Sequence, residues 1–168
     1  MKRMSILPST ISFVAFKGIS PLSRLIRFWT RSPYSHIAFI LNKPEMVLVE
    51  SWKTYNGFCW GISSLGNHRK GTPYEIWEKQ IEEDKAVKLR KIFLDFAKKQ
   101  IPFDLKGIMG FVFKHKDDKK KMFCSEGCSI AMMKAGIWPE IEAWRIYPGY
   151  FVDLLKVNGF YKAKEGKT

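Results

Sequence analysis

The stretch SPYSHIAFILNKPEMVLVESW, residues 32–52, decides how this chain is read. Residues 34–41 are apolar and rich in β-branched and aromatic side chains. Asn42, Lys43 and Pro44 make a turn, and residues 46–51 are apolar again, so the pattern predicts an antiparallel hairpin. Alternation along the first strand puts His36 on one face with Tyr34 and Ala38, and Ile37 and Phe39 on the other. Glu50 closes the apolar run Val47-Leu48-Val49 on the returning strand, so it is expected beside His36 or one position off. An imidazole on a strand is held rigidly, as a general base requires. A neighbouring carboxylate fixes its tautomer and stabilises its protonated form. Taken singly, each residue has a plainer reading: a satisfied, half-buried histidine, and a strand-end carboxylate facing water.

Outward from the hairpin, residues 11–16 predict an earlier strand. Ser20-Pro21 starts a helix, with a capping hydroxyl and a proline at the first helical position. In that helix Leu22, Leu25, Ile26 and Trp29 recur at helical spacing, which predicts one buried face. Residues 53–71 predict a loop holding one short strand at 57–62, and 73–77 a further strand. Residues 82–100 predict an amphipathic helix whose apolar face is Ala86, Leu89, Ile92, Phe93 and Phe96. Acidic residues crowd its start and Lys98-Lys99 its end, as the helix dipole prefers. A short helix over 106–113, a charged loop over 114–121, a helix over 123–134, a last helix over 148–157 and an edge strand over 160–163 complete the chain. No linker or repeat divides it, so residues 1–168 form one α+β domain.

The second chemical feature is Phe123-Cys124-Ser125-Glu126, where a polar segment becomes a helix. A cysteine in a first turn feels the positive end of the helix dipole and amides that lack intrahelical partners. Both lower a thiol pKa from its ordinary value of about 8.5. The same amides suit an oxyanion. The plainer reading is a buried structural cysteine. Cys128, one turn on, and Cys59 are expected in the core. His68 and His115 lie in polar stretches and are expected in solvent. Tyr34 is a candidate oxyanion donor. Trp52, Tyr55 and Trp60 are candidate cleft walls, and Ser125 a candidate substrate contact. No cysteine or histidine pair stands at zinc spacing, and no glycine-rich phosphate loop appears, so no metal or cofactor is expected.

Four stretches resemble the circularly permuted papain-like amidases, the YiiX/YaeF-like branch of the NlpC/P60 superfamily. They are SPLSRLIRFWTRSPYSHIAFI (20–40), VLVESW (47–52), IPFDLKG (101–107) and FCSEGCSIA (123–131). In this branch the histidine strand precedes the cysteine helix, as His36 precedes Cys124. The resemblance implies Cys124 as nucleophile, His36 as base and Glu50 as third polar residue. It implies a small antiparallel sheet or barrel packed by helices, and amide or ester substrates drawn from wall peptides or lipid acyl groups. The charged stretch 114–121, just before the cysteine, departs from that pattern by making the approach unusually basic.

Composition bounds the remaining readings. Hydrophobic residues make up 46% of the 168, enough for a packed core. The formal net charge of +13 favours polyanions, whether nucleic acid, anionic lipid surface or acidic wall polymer. Three cysteines do not make a disulfide framework. Pro8, Ser9 and Thr10 interrupt the first apolar run, which argues against a signal peptide, and no apolar run is long enough to span a bilayer. The expected setting is a cytoplasm, with a phage origin equally compatible. The leading expectation is a cysteine hydrolase acting on a peptide, peptidoglycan fragment or lipid. The alternatives are a lipid acyltransferase or thioesterase working at membranes, and a non-catalytic basic module that binds nucleic acid. No recognised nucleic-acid motif supports the last.

Overall fold

The computed structural model of the protein describes residues 8–54, 57–104 and 121–168. The expected helix over 106–113, most of the charged loop 114–121, Tyr55 and His115 lie outside the described residues. Six strands form one antiparallel sheet: β1 (Pro8–Phe16), β2 (His36–Asn42), β3 (Val47–Thr54), β4 (Gly57–Ser64), β5 (Pro73–Glu82) and β6 (Tyr161–Lys167). Their order is β4-β3-β2-β1-β5-β6. The sheet is therefore open, with β4 and β6 at its edges, and not a closed barrel. Among the described residues there are four helices: α1 (Pro21–Thr30), α2 (Glu83–Lys99), α3 (Cys124–Lys134) and α4 (Pro148–Val157). None is long and apolar enough to cross a membrane.

The alternation predicted for the hairpin sets the two faces. One face presents Ile11, Phe13, Ala15, Ile37, Phe39 and Val49, and α2, α3 and α4 cover it. Phe93 of α2 stacks on Phe39 with ring centroids 4.3 Å apart, and Phe13 meets Phe39, Phe93 and Phe151 edge-on or nearly so. Each such ring pair contributes about 0.5–1.5 kcal/mol beyond area burial. The other face presents Val14, Phe16, Ala38, Ile40, Leu48, Tyr74 and Ile76, with Leu65 packed against them. His36 and Glu50 share its parity.

Five strands are longer than the sequence predicts: β1, β3, β4, β5 and β6. β4 runs to Ser64 and pairs with the whole of β3, so residues 53 and 54 belong to a strand and not to a loop. β5 runs to Glu82, because β1 pairs with it along its full length from Pro8↔Glu82 to Phe16↔Tyr74. Pairing partners distant in sequence extend a strand past the point where its own apolar pattern fades.

The larger departure is α1. Its cap is as predicted: the Ser20 hydroxyl accepts from the Ser23 N–H at 3.1 Å, and Pro21 opens the helix. Its apolar face is not buried. Leu22, Leu25, Phe28 and Trp29 are 41, 42, 73 and 52% exposed, and Ile26 is its only buried residue.

α3 is the central helix, buried on almost every side. Small residues at 125, 127, 129 and 131 let it approach the sheet closely. At Gly127 a Cβ would lie 2.2 Å from Cζ2 of Trp60, a fully buried side chain. Alanine is the better helix former by up to about 1 kcal/mol, but this overlap with a ring that cannot swing away outweighs it. Gly127→Ala is expected to lose about 1–3 kcal/mol of stability, read as a lower urea midpoint at unchanged slope. An unchanged or raised midpoint would show that α3 and β4 are not so tightly apposed.

Candidate active site

The segment leading into α3 is tied to the sheet edge on both sides. The Trp60 amide donates to Ile101 O at 2.9 Å, and Phe103 N–H to Phe58 O at 3.0 Å. The Met122 amide donates to Pro102 O at 3.1 Å, and Trp60 Nε1 to Met122 O at 3.3 Å. These bonds fix where α3 begins. The Glu126 carboxylate then reaches back one turn and accepts from the Phe123 N–H at 3.2 Å, satisfying an amide at the helix start. Cys124 is the first helical residue, one past the expected start at Phe123 and in the first turn, as the sequence predicts.

α3 lies against β2. The thiol of Cys124 faces the imidazole of His36 closely enough for the two to shift each other's charge, and backbone groups of Ile37 and Ser125 also act on it. His36 Nε2 lies 2.5 Å from Glu50 Oε2, which leaves Nδ1 for the sulfur. Continuing the Phe39↔Val49 register places Glu50 opposite Ala38, so His36 and Glu50 are diagonal neighbours on one face. The three residues singled out in the sequence are thus brought together as a relay: thiol, imidazole, carboxylate. All three are buried, and Glu50 does not face water.

The electrostatics follow from that geometry. Burial pushes the Cys124 thiol up, but the His36 charge, its hydrogen bond and the two backbone groups more than reverse this, and the net shift is downward. Burial pushes His36 down; the thiolate and Glu50 overcome it and hold the imidazole at about 10. Burial pushes Glu50 up; hydrogen bonds and charge from His36 and His68 bring it down to about 2. The geometry thus biases the pair toward a thiolate facing an imidazolium, anchored on a carboxylate.

His68 is the functional neighbour that the sequence did not reveal. Expected in solvent, it is buried, its Nε2 lies 3.1 Å from Glu50 Oε1, and its ring stacks on Phe16 at 3.8 Å. The turn at 65–68 folds over the open face of the sheet, and only that tertiary placement brings the ring to Glu50. The Ser63 hydroxyl donates to Glu50 Oε1 as well. No local signal marks either residue as part of the site.

The substrate-contact candidates divide. Trp52 stands beside the relay, its ring 5.4 Å from His36 and 4.7 Å from His68. It also lines a cavity of about 480 Å³ with Glu50, Lys53, Thr54, Ile62, Ser63 and Asn67. This cavity abuts the carboxylate end of the relay. Tyr34 is a correction: its hydroxyl donates to Glu75 Oε2 at 2.7 Å, so it is committed to a carboxylate on β5 and is no oxyanion donor. Ser125 is another: its side chain is fully buried, and its hydroxyl has no partner among the described residues, so only its backbone faces the sulfur. Trp60 is core and no cleft wall. Cys128 is wholly buried, its thiol pushed well up by burial and by the Cys124 charge.

Among the described residues, His36, Glu50 and His68 form one group able to offer ligand atoms to a metal, all within 4.8 Å of one another. A tetrahedral zinc with bonds of about 2.0–2.2 Å spaces neighbouring ligand atoms at more than about 3 Å. The 2.5 Å separation of His36 and Glu50 is closer than that, and the spacing suits shared protons.

A scan against models of protein families matched none, and a search of curated proteins found no match.

Proposed function

We propose that the protein is a cysteine hydrolase that cleaves amide or ester bonds through a thioester acyl-enzyme, on a circularly permuted papain-like arrangement in which the histidine strand precedes the cysteine helix. The observation that carries this reading is the Cys124–His36–Glu50 relay, with the thiol at the head of α3 and its pKa depressed. A structural cysteine buried in an apolar setting has its pKa raised, as Cys128 does.

The Cys124 thiolate attacks the carbonyl carbon, and the electron pair of the C=O bond moves to oxygen. Amides of a first helical turn lack intrahelical partners, so the start of α3 is suited to stabilising that oxyanion. As the tetrahedral intermediate collapses, the His36 imidazolium gives its proton to the departing amine or alkoxide, leaving a thioester on Cys124. Neutral His36 then takes a proton from water, hydroxide adds to the thioester carbonyl, and collapse returns the carboxylic acid and the thiolate–imidazolium pair. Glu50 holds the ring in the tautomer that presents Nδ1 to sulfur and stabilises its charged form. His68 and Ser63 hold Glu50.

The test is competitive labelling with a small alkylating reagent, read peptide by peptide by mass spectrometry. Near neutral pH Cys124 is expected to react at least about tenfold faster than Cys59 or Cys128, and to keep reacting in mildly acidic buffer, where ordinary thiols are silent. Equal rates at the three cysteines would remove the activated thiolate and, with it, the proposed chemistry.

A further inference from the structure

α1 has the composition of a helix that lies in an interface. Leu22, Leu25, Phe28 and Trp29 sit on one arc of its surface at about 3.6 residues per turn, and all four are exposed. Ile26, at the edge of that arc, holds the helix to the body. Arg24 and Arg31, both exposed, flank the apolar arc, and Arg27 is drawn inward to donate to Gly18 O at 3.2 Å. The helix contains no acidic residue, and the chain carries a formal net charge of +13. Apolar and aromatic residues on one arc with arginines beside it suit burial among acyl chains under anionic headgroups.

We infer that α1 is a docking surface for an anionic lipid bilayer: Leu22, Leu25, Phe28 and Trp29 enter the headgroup–acyl boundary while Arg24 and Arg31 pair with lipid phosphates. Charge complementarity selects this occupant. A second copy of the same basic helix would bring like charges together, whereas an anionic surface neutralises them. α1 is joined to β2 by residues 31–35, so docking sets the strand that bears His36 close to the bilayer. If the thiol chemistry proposed above holds, its acyl donors then include lipid esters; the docking itself does not depend on that chemistry.

The experiment is co-sedimentation of the full chain with phosphatidylcholine vesicles, with and without phosphatidylglycerol. Wild type is expected to pellet with the phosphatidylglycerol vesicles at low salt and to be released as salt rises. The double variant Leu25→Asp/Trp29→Asp changes only exposed side chains and should keep its circular dichroism spectrum. It is expected to bind about tenfold or more weakly. Arg24→Glu/Arg31→Glu should abolish the preference for phosphatidylglycerol. Three results would each overturn the inference: no binding of wild type to anionic vesicles, full binding by the Leu25/Trp29 variant, or a solution dimer that this variant splits. The first removes the membrane, the second moves the contact elsewhere on the basic surface, and the third gives the face to a second copy. Hydrolysis of a water-soluble aryl ester by the same variants runs in parallel. The α1 variants should retain it, so a failed docking surface and a failed thiol are told apart.

Discussion

Cys124→Ala is expected to lower kcat/KM for an activated aryl ester by at least about 10⁴-fold while leaving the urea midpoint nearly unchanged. The size follows from the role. Only a nucleophile that forms a covalent acyl intermediate cannot be replaced by the remainder of the site. Neither of the other thiols can take over, because neither faces His36: the Cys128 thiol is pushed up by burial and by the Cys124 charge, and the Cys59 sulfur lies 3.1 Å from the Thr54 hydroxyl. Cys124→Ser keeps the shape but supplies a hydroxyl, which His36 cannot ionise as it does a thiol, and should fall nearly as far. Residues that act as one unit lose their function together, so His36→Ala added to Cys124→Ala should cost almost nothing more. In wild type the rate should rise as the thiolate–imidazolium pair forms on leaving acid, hold through neutrality, and fall as His36 loses its proton near pH 10. A Cys124→Ala protein that kept more than about one hundredth of the rate would send the reaction to other residues.

How far these residues could be read from sequence depends on the range of the interaction that places them. The hairpin was legible because both its strands and its turn lie close together in sequence, within residues 36–54, and a period of two decides which side chains share a face. That was enough to pair His36 with Glu50. Cys124 was legible because a helix start is a local event. His68 was not, since what buries it is Phe16 beneath its ring and Glu50 at its nitrogen, 52 and 18 residues away in sequence. Tyr34 misled for a related reason. It stands two residues before His36, but β2 begins only at His36, so the alternation does not extend back to it and its hydroxyl turns to Glu75. In α1 the spacing announced an amphipathic helix correctly; periodicity shows that a face is apolar and is silent on whether this chain or something else covers it. The order of histidine strand before cysteine helix is visible in the sequence, whereas the open edges of the sheet are set by long-range pairing such as β1 with β5.

Glu50→Gln is expected to cost about 10²–10⁴-fold in kcat/KM and, unlike the loss of the thiol, to move the pH profile. In wild type the two carboxylate oxygens receive three hydrogen bonds, from His36, His68 and Ser63, in a buried setting. Glutamine replaces one acceptor by an NH₂ donor, so one of these partners meets a donor instead of an oxygen. The imidazolium of His36 also loses the adjacent negative charge that helps hold it at about 10, so the alkaline limb should shift downward and Cys124 should label more slowly at neutral pH. Stability should change with pH in a way that identifies the group. The folded-state pKa of Glu50, about 2, lies below its ordinary value, so it stabilises the protein above roughly pH 4.5 and that contribution is lost as pH falls toward 2. The raised pKa of His36 works in the other direction: its contribution is whole below roughly pH 6.5 and is lost as pH climbs through about 10. Glu50→Gln should flatten the acid side of the stability curve and remove part of the alkaline side, because the carboxylate that helped to hold His36 charged is gone. His68→Asn separates positioning from chemistry. It leaves the His36–Glu50 bond in place, so it should give a smaller loss in kcat with the alkaline limb shifted part of the way. A Glu50→Gln protein with wild-type limbs on both profiles would mean that Glu50 does not govern the charge on His36, and the relay would end at the imidazole.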